Sequence, residues 1–396
     1  MSRSPIAEKV AADIQKASWV RAMFEKGRKL KAEYGDDGVF DFSLGNPNAN
    51  PPDQFYNSLR ACAAERDPSL HRYMPNAGFE EPRSAVARFL SREYGLPFDG
   101  ASVILTSGAA GAMNVTLRAL LDPGDEVIVI APYFQEYRFY IEHAQGRLVA
   151  VESRPDFQPD PRALESAIAT RTRAVIINSP NNPTGVVYSQ TACRELAAAL
   201  QRHDKPERPI YLLCDDIYRR LVFDQPSCPA IAGLYARSII CSSFSKDLSI
   251  PGERIGYIAP HPLLPQRELF LSAATMLNRT LGFVNAPAFM QRVVARCADS
   301  LCGVALYRRN RDLLCDALQD YGYEITRPGG AFYAFPRTPI DDDVAFTEKL
   351  LARRVLCVPG RGFGRAGHMR VSYCVETRTI ERALPEFAAA IREVRR

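Results

Sequence analysis

From Ser102 to Pro260 the chain alternates short apolar, β-branched runs with longer stretches of helical period. The runs Val103-Ile104-Leu105, Val127-Ile128-Val129-Ile130, Ala174-Val175-Ile176-Ile177, Tyr211-Leu212-Leu213 and Ser238-Ile239-Ile240 read as strands. They are continuously apolar, the pattern of strands buried on both faces of a parallel sheet. Helix starts are legible between them. Asp160 offers a cap with Pro161 in the first helical position, predicting a helix over 162–169, and Ser189 caps another running to about Arg202. Strands alternating with helices predict an α/β fold, a mostly parallel sheet flanked by helices.

After about Asn285 the pattern changes. A long helical region runs to about Asp320, then come Pro328-Gly329-Gly330, aromatic strand residues, a helix over about 344–353, a strand ending in Arg370-Val371-Ser372 and a last helix. This predicts a large domain over 48–295 and a smaller α+β domain built from 296–396 together with 1–47, whose end carries the turn Gly45-Asn46-Pro47.

Composition narrows the function classes. A chain of 396 residues with 46% hydrophobic content can build both cores. Its net charge of +5 is small and the basic residues are scattered, so no nucleic-acid partner is expected. No stretch is apolar enough for a membrane partner, and the first residues, with Arg3, Glu8 and Lys9, hold no leader core; a cytoplasmic enzyme is expected. The ten cysteines are dispersed without C-x-x-C, which predicts buried thiols and no metal.

In an open α/β sheet the ligand crevice lies beyond the carboxyl ends of the strands. Four motifs fall there: Gly108-Ala109-Ala110-Gly111, Asn181-Asn182-Pro183-Thr184-Gly185, Asp215-Asp216-Ile217-Tyr218, and Ser243-Phe244-Ser245-Lys246 with Arg254. A glycine-rich helix start presents backbone amides to a phosphate. A lysine at a buried strand end can lose its proton and become a nucleophile for carbonyls. Each motif alone has a plain structural explanation, since Asn-Asn-Pro-Thr-Gly makes a good turn and Asp-Asp can simply end a strand. Their joint order and spacing are what carry weight.

From Gly45 to Arg370 the motifs together resemble the class I and II aminotransferases, enzymes of fold type I that use pyridoxal 5′-phosphate. The resemblance implies that Lys246 holds the cofactor as a Schiff base and shuttles the substrate's α-proton, while Asp215 keeps a proton on the pyridine nitrogen. Asn182 and Tyr218 would hydrogen-bond the cofactor's phenolic oxygen, and Phe134 would stack on its ring. Gly108, Ala109, Ala110, Ser243, Ser245 and Arg254 would cup the phosphate, with Ala110 standing where relatives often have a hydroxyl. Tyr73 would reach across a homodimer interface to the neighbour's cofactor, so that the active sites are shared. Arg370 would grip the substrate α-carboxylate, with Gly45 and Asn182 beside it.

Arg361 and Arg365 read as solvated charges. Arg279 falls near the region where dicarboxylate-using relatives place a second arginine, whereas Tyr133, Tyr137 and Tyr140 leave room for an aromatic or uncommon amino acid. The expected reaction is ping-pong transfer of an amino group between an L-amino acid and a 2-oxo acid. The alternatives are a carbon–sulfur lyase or specialised biosynthetic enzyme with the same cofactor, and a cofactor-sensing regulator domain.

Overall fold

The apolar runs become neighbouring strands because each can bury both of its faces. The computed structural model describes residues 5–15 and 19–395, so Arg3 of the N-terminal stretch lies outside the described residues. Seven strands form the central sheet: β1 (Ile104–Ser107), β2 (Glu126–Ala131), β3 (Arg147–Glu152), β4 (Thr172–Asn178), β5 (Tyr211–Asp215), β6 (Ser238–Ser243) and β7 (Ile255–Pro260). Their order is β1-β7-β6-β5-β4-β2-β3. The pairs from β6 to β3 are parallel, and β7 runs antiparallel to both β6 and β1.

Alternate residues of one strand serve two different cores. Ile128, Val175, Ile177, Leu212, Cys214 and Ile240 pack on one face with Val86, Leu196 and Val293. Val127, Val129, Ala174, Ile176, Leu213, Ile239 and Cys241 pack on the other with Met113, Tyr137 and Phe270. This is the two-residue period of a strand read through a sheet covered on both sides.

Two strands of the sheet lie outside the five predicted runs. β3, Arg-Leu-Val-Ala-Val-Glu, is an edge strand with charged, exposed ends and only Val151 buried. β7 follows Arg254 directly and is fully buried, but it runs against its neighbours. The caps match expectation: Asp160 accepts from the amides of Arg162 and Ala163, and Ser189 from Ala192. The helix begun at Pro161 stops at Ala167, two residues early. The long helical region after Asn285 is two helices, Ala288–Ala295 and Val304–Asp320; Gly303, with φ of 80°, starts the second.

A further core joins Phe40 and Phe42 to Tyr307, Leu314, Phe332, Tyr333, Phe346, Val371 and Phe387. It also takes in Tyr218, Leu221 and Phe223, which follow β5. Short strands serve it: Phe40–Asp41 pairs parallel with Val355–Leu356, and Met369–Ser372 pairs with Val358–Pro359 and Tyr333–Ala334. Arg361 and Arg365 are not free solvated charges. Arg361 Nε donates to Asp343 Oδ1 at 2.8 Å and its Nη2 to Asp342, and Arg365 pairs with Glu152. Asp343 is fully buried, so the loop must bring it a cation.

Candidate active site

Strand register places the first polar groups. Asn178 and Asp215 are opposite one another at the carboxyl ends of β4 and β5, and Asp215 faces Cys241 on β6. Asn178 Nδ2 donates to the Asp215 carbonyl at 2.7 Å and Asn178 Oδ1 accepts from the Asn182 amide at 2.7 Å, tying the strand end to the following turn. Side chains alternate at a strand end, so the two aspartates part. Asp216 accepts from the Tyr94 hydroxyl on the far side, with Arg219 over the Tyr94 ring, whereas Asp215 enters a cavity.

That cavity, of about 310 Å³, is lined by Gly45, Phe134, Asn182, Asp215, Tyr218, Lys246 and Arg370, together with Gln135, Glu136, Asn178, Ile217 and Tyr333. Asp215 accepts the Tyr137 hydroxyl on Oδ2, while its buried Oδ1 has no hydrogen-bond partner. Burial, helped by the nearby Asp216, pushes its carboxyl up to about 7, against the pull of Tyr137, the Ile217 amide and Lys246. Lys246 Nζ donates to the Gly45 carbonyl at 2.8 Å and lies near the rings of Tyr218 and Phe332. Burial brings its amine down to about 8, with Arg254 and Arg370 adding to the fall and Cys374 and Asp215 opposing it. A lysine so placed has a far larger neutral fraction at neutral pH than one in water.

Arg370 is almost fully buried and stacks between the rings of Tyr333 and Phe363. Its Nη1 donates to Asn182 Oδ1 at 3.0 Å and its Nη2 to the Ser43 carbonyl, leaving Nε unpartnered. Tyr218 and Tyr333 share a hydroxyl–hydroxyl hydrogen bond of 2.8 Å. Burial lifts both phenols, Tyr333 to about 12.

Gly108 opens a 13-residue helix whose cap, Ser107, makes no side-chain bond, so the first amides are free for an anion. A Cβ on Gly108 would stand 2.6 Å from Arg254 Nη2, and one on Gly256 2.6 Å from the Gly108 carbonyl carbon. The glycines therefore let the exposed Arg254 guanidinium close over the helix start. Ala109 and Ala110 lie in that first turn, and Ser243 and Ser245 are buried at the end of β6. Tyr73 stands apart from this chain's cavity with 92% of its surface exposed. Arg279 also lies outside it, in a surface hollow with Asn76, Leu271 and Met276.

The roles of several residues in and behind the cavity wall were invisible to motif reading. Tyr137 does not leave room for a substrate; it is buried with its hydroxyl on Asp215. Tyr333 had one signal, the need for glycine at position 45, where a Cβ would sit 1.8 Å from the Tyr333 hydroxyl oxygen. Gly45→Ala is expected to lower stability by about 1–3 kcal/mol through overpacking. Urea unfolding of the variant checks this, and an unchanged midpoint would refute the close approach.

The profile of the family described as aminotransferase class I and II matches residues 37–387. This chain belongs to that family. It is a pyridoxal 5′-phosphate-dependent aminotransferase. The aspartate/prephenate aminotransferase of Thermus thermophilus is 34% identical over 355 residues, covering 88% of this chain and 90% of that protein. Among solved structures, an aminotransferase from Eubacterium rectale superposes with a TM-score of 0.94 at 36% identity, covering 99% of this chain and 100% of that one. The aspartate aminotransferase of Thermus thermophilus with maleate gives 0.86 at 30%, covering 98% and 100%.

The aminotransferase's own geometry fits the cofactor. The orphaned Asp215 Oδ1 is an acceptor with nothing to bind in this chain, which suits a ring N–H. The depressed Lys246 amine suits an aldehyde, and the free helix amides beside Arg254 suit a phosphate.

Proposed function

We propose that this aminotransferase moves an amino group between an L-amino acid and a 2-oxo acid by ping-pong exchange, with Lys246 as anchor and proton carrier. The observation that supports this most is one cavity holding a depressed amine, a carboxylate with a free oxygen, and a buried guanidinium. The bound cofactor supplies an aldehyde that condenses with amines and a ring that spreads the charge left when the substrate's α-proton departs. Lys246 Nζ would hold the cofactor and, when free, would take that proton and return it. Asp215 Oδ1 would hold the proton of the ring nitrogen, with Oδ2 already steadied by the Tyr137 hydroxyl. Arg370 receives the α-carboxylate with its fork, and its rings and Asn182 keep the fork in one orientation.

Asn182, Tyr218, Phe134 and Gly45 line the cavity, and in this reading Asn182 and Tyr218 would donate to the phenolic oxygen, Phe134 would cover the ring face and Gly45 would supply the backbone over the substrate. Gly108, Ala109, Ala110, Ser243, Ser245 and Arg254 form the phosphate cup. In this reading the chain divides into 48–295 and 1–47 with 296–396, and works in the cytoplasm, where its ten unpaired thiols stay reduced. No described helix is long and apolar enough to cross a membrane. The exposed Tyr73, with Leu263 and Leu269 exposed as well, supports a homodimer in which Tyr73 completes the partner's site.

The test mixes cofactor-loaded protein with single amino acids and no acceptor. Conversion to the amino form of the cofactor, reversed by an oxo acid, is the expected result. Release of pyruvate and ammonia without the amino form would indicate the lyase, and an unchanged spectrum the sensing domain. A pH series tests Lys246 separately. Only the neutral amine attacks an aldehyde, so the rate at which cofactor-free protein captures the cofactor should rise with pH and level off above about 8. A rate still climbing toward the ordinary lysine value of 10.5 would reject the burial argument.

A further inference from the structure

The cavity carries one charge that the proposed reaction does not use. Its lining holds two cations, Lys246 and Arg370, and two carboxylates, Asp215 and Glu136. The first three have tasks: amine, α-carboxylate fork and ring-nitrogen partner. Glu136 does not.

Glu136 is the first residue of the helix Glu136–His143, two residues on from Phe134. Among the described residues it accepts no hydrogen bond and pairs with no cation. The neighbouring ion pairs leave it out: Arg138 goes to Glu142 and Asp13, and Lys9 to Glu142. Burial alone pushes its carboxyl above the ordinary value, with no positive group pulling it back. A half-buried carboxylate with no partner is costly, and a helix amino end offsets only part of that cost.

Resting on the aminotransferase reading above, we infer that Glu136 selects the substrate: the cavity takes an amino donor whose side chain ends in a cation, an ammonium or guanidinium. With its α-carboxylate on Arg370 and its α-amine toward Lys246, such a donor has its side chain left to meet Glu136 in the same enclosed space. The pairing satisfies both charges. A dicarboxylic donor would instead bring a second negative charge against Glu136, and this chain's cavity offers it no free cation. Arg279 lies in a separate surface hollow.

The test uses the cofactor-loaded enzyme and donors matched in shape: L-lysine against L-norleucine, L-ornithine against L-norvaline, and L-aspartate and L-glutamate besides. The expected result is that each cationic donor converts the bound cofactor about ten- to a hundredfold more efficiently than its neutral match, as a charge-assisted hydrogen bond provides. Glu136→Gln should bring that ratio close to one, and Glu136→Asp should restore part of it. Preference for aspartate or glutamate would overturn the inference while leaving transamination intact. So would a Glu136→Gln variant that keeps the cationic preference, or one that changes only the thermal midpoint, which would mark a helix-end role. Loss of donor choice in Arg279→Ala with none in Glu136→Gln would overturn it in favour of Arg279. Failure of every donor to convert the cofactor would remove the aminotransferase reading, and this inference with it.

Discussion

Replacing Lys246 by alanine is expected to lower kcat by at least about a thousandfold, because in the proposed reaction this one side chain supplies both covalent attachment and proton transfer. The fold should tolerate the change. The amine's single hydrogen bond goes to the Gly45 carbonyl, and its burial penalises the charged form. The variant should therefore melt close to the parent and still bind the cofactor non-covalently. Borohydride reduction followed by mass spectrometry gives a second readout. The parent should gain the cofactor's mass at Lys246, and the variant should gain none. Activity within tenfold of the parent would remove Lys246 from both roles.

Asp215→Asn is expected to cost roughly a hundredfold or more in kcat. The amide keeps the shape and can still accept from Tyr137, but it carries no charge to hold a proton on a ring nitrogen. Breaking one half of a buried ion pair typically costs about 3–5 kcal/mol. Without cofactor, the same substitution should act in the opposite direction on stability. Burial raises the native carboxyl from 3.8 to about 7, so the folded protein holds this proton more tightly than the unfolded chain does. Its stabilising effect is full below 3.8 and is lost as the pH rises through about 7. At pH 8 the cofactor-free variant should thus melt above the parent, with the gap closing in acid. Equal melting temperatures across that range would show that Asp215 is not a strained carboxylate. A residue with both effects, weakening the empty protein and serving the loaded one, would fit the usual trade of stability for function.

The reading of fold from sequence succeeded where burial is symmetrical. Ala174 to Ile177 are apolar throughout because each neighbouring residue meets a different core, and such a run has no other plausible home. It failed at β3, an edge strand whose short run Leu148–Val151 lies between the charged Arg147 and Glu152, and at the break before Gly303, where a turn interrupts a helical pattern. The site divides in the same way. Lys246, Asp215, Asn182 and Gly108 were legible because each sits at a strand end beside residues that shape a turn or a helix start. Tyr137, Tyr333 and Glu136 were not, because nothing local distinguishes them from core or surface residues. Tyr137 is 78 positions from the aspartate it serves, and Tyr333 is 115 from the tyrosine it touches.

Periodicity, caps and the ordered motifs are local properties, and from them alone follow the α/β architecture, the family resemblance and the residue types able to hold a phosphate, an aldehyde and a ring nitrogen. The tertiary structure decided which of two adjacent aspartates enters the cavity, why position 45 admits only glycine, and which carboxylate is left without a partner. It also decided the charge states. A pKa responds to everything packed around the group, and the walls around Lys246 and Asp215 come from segments far apart in the chain, so only the folded arrangement brings the amine to about 8 and the carboxyl to about 7.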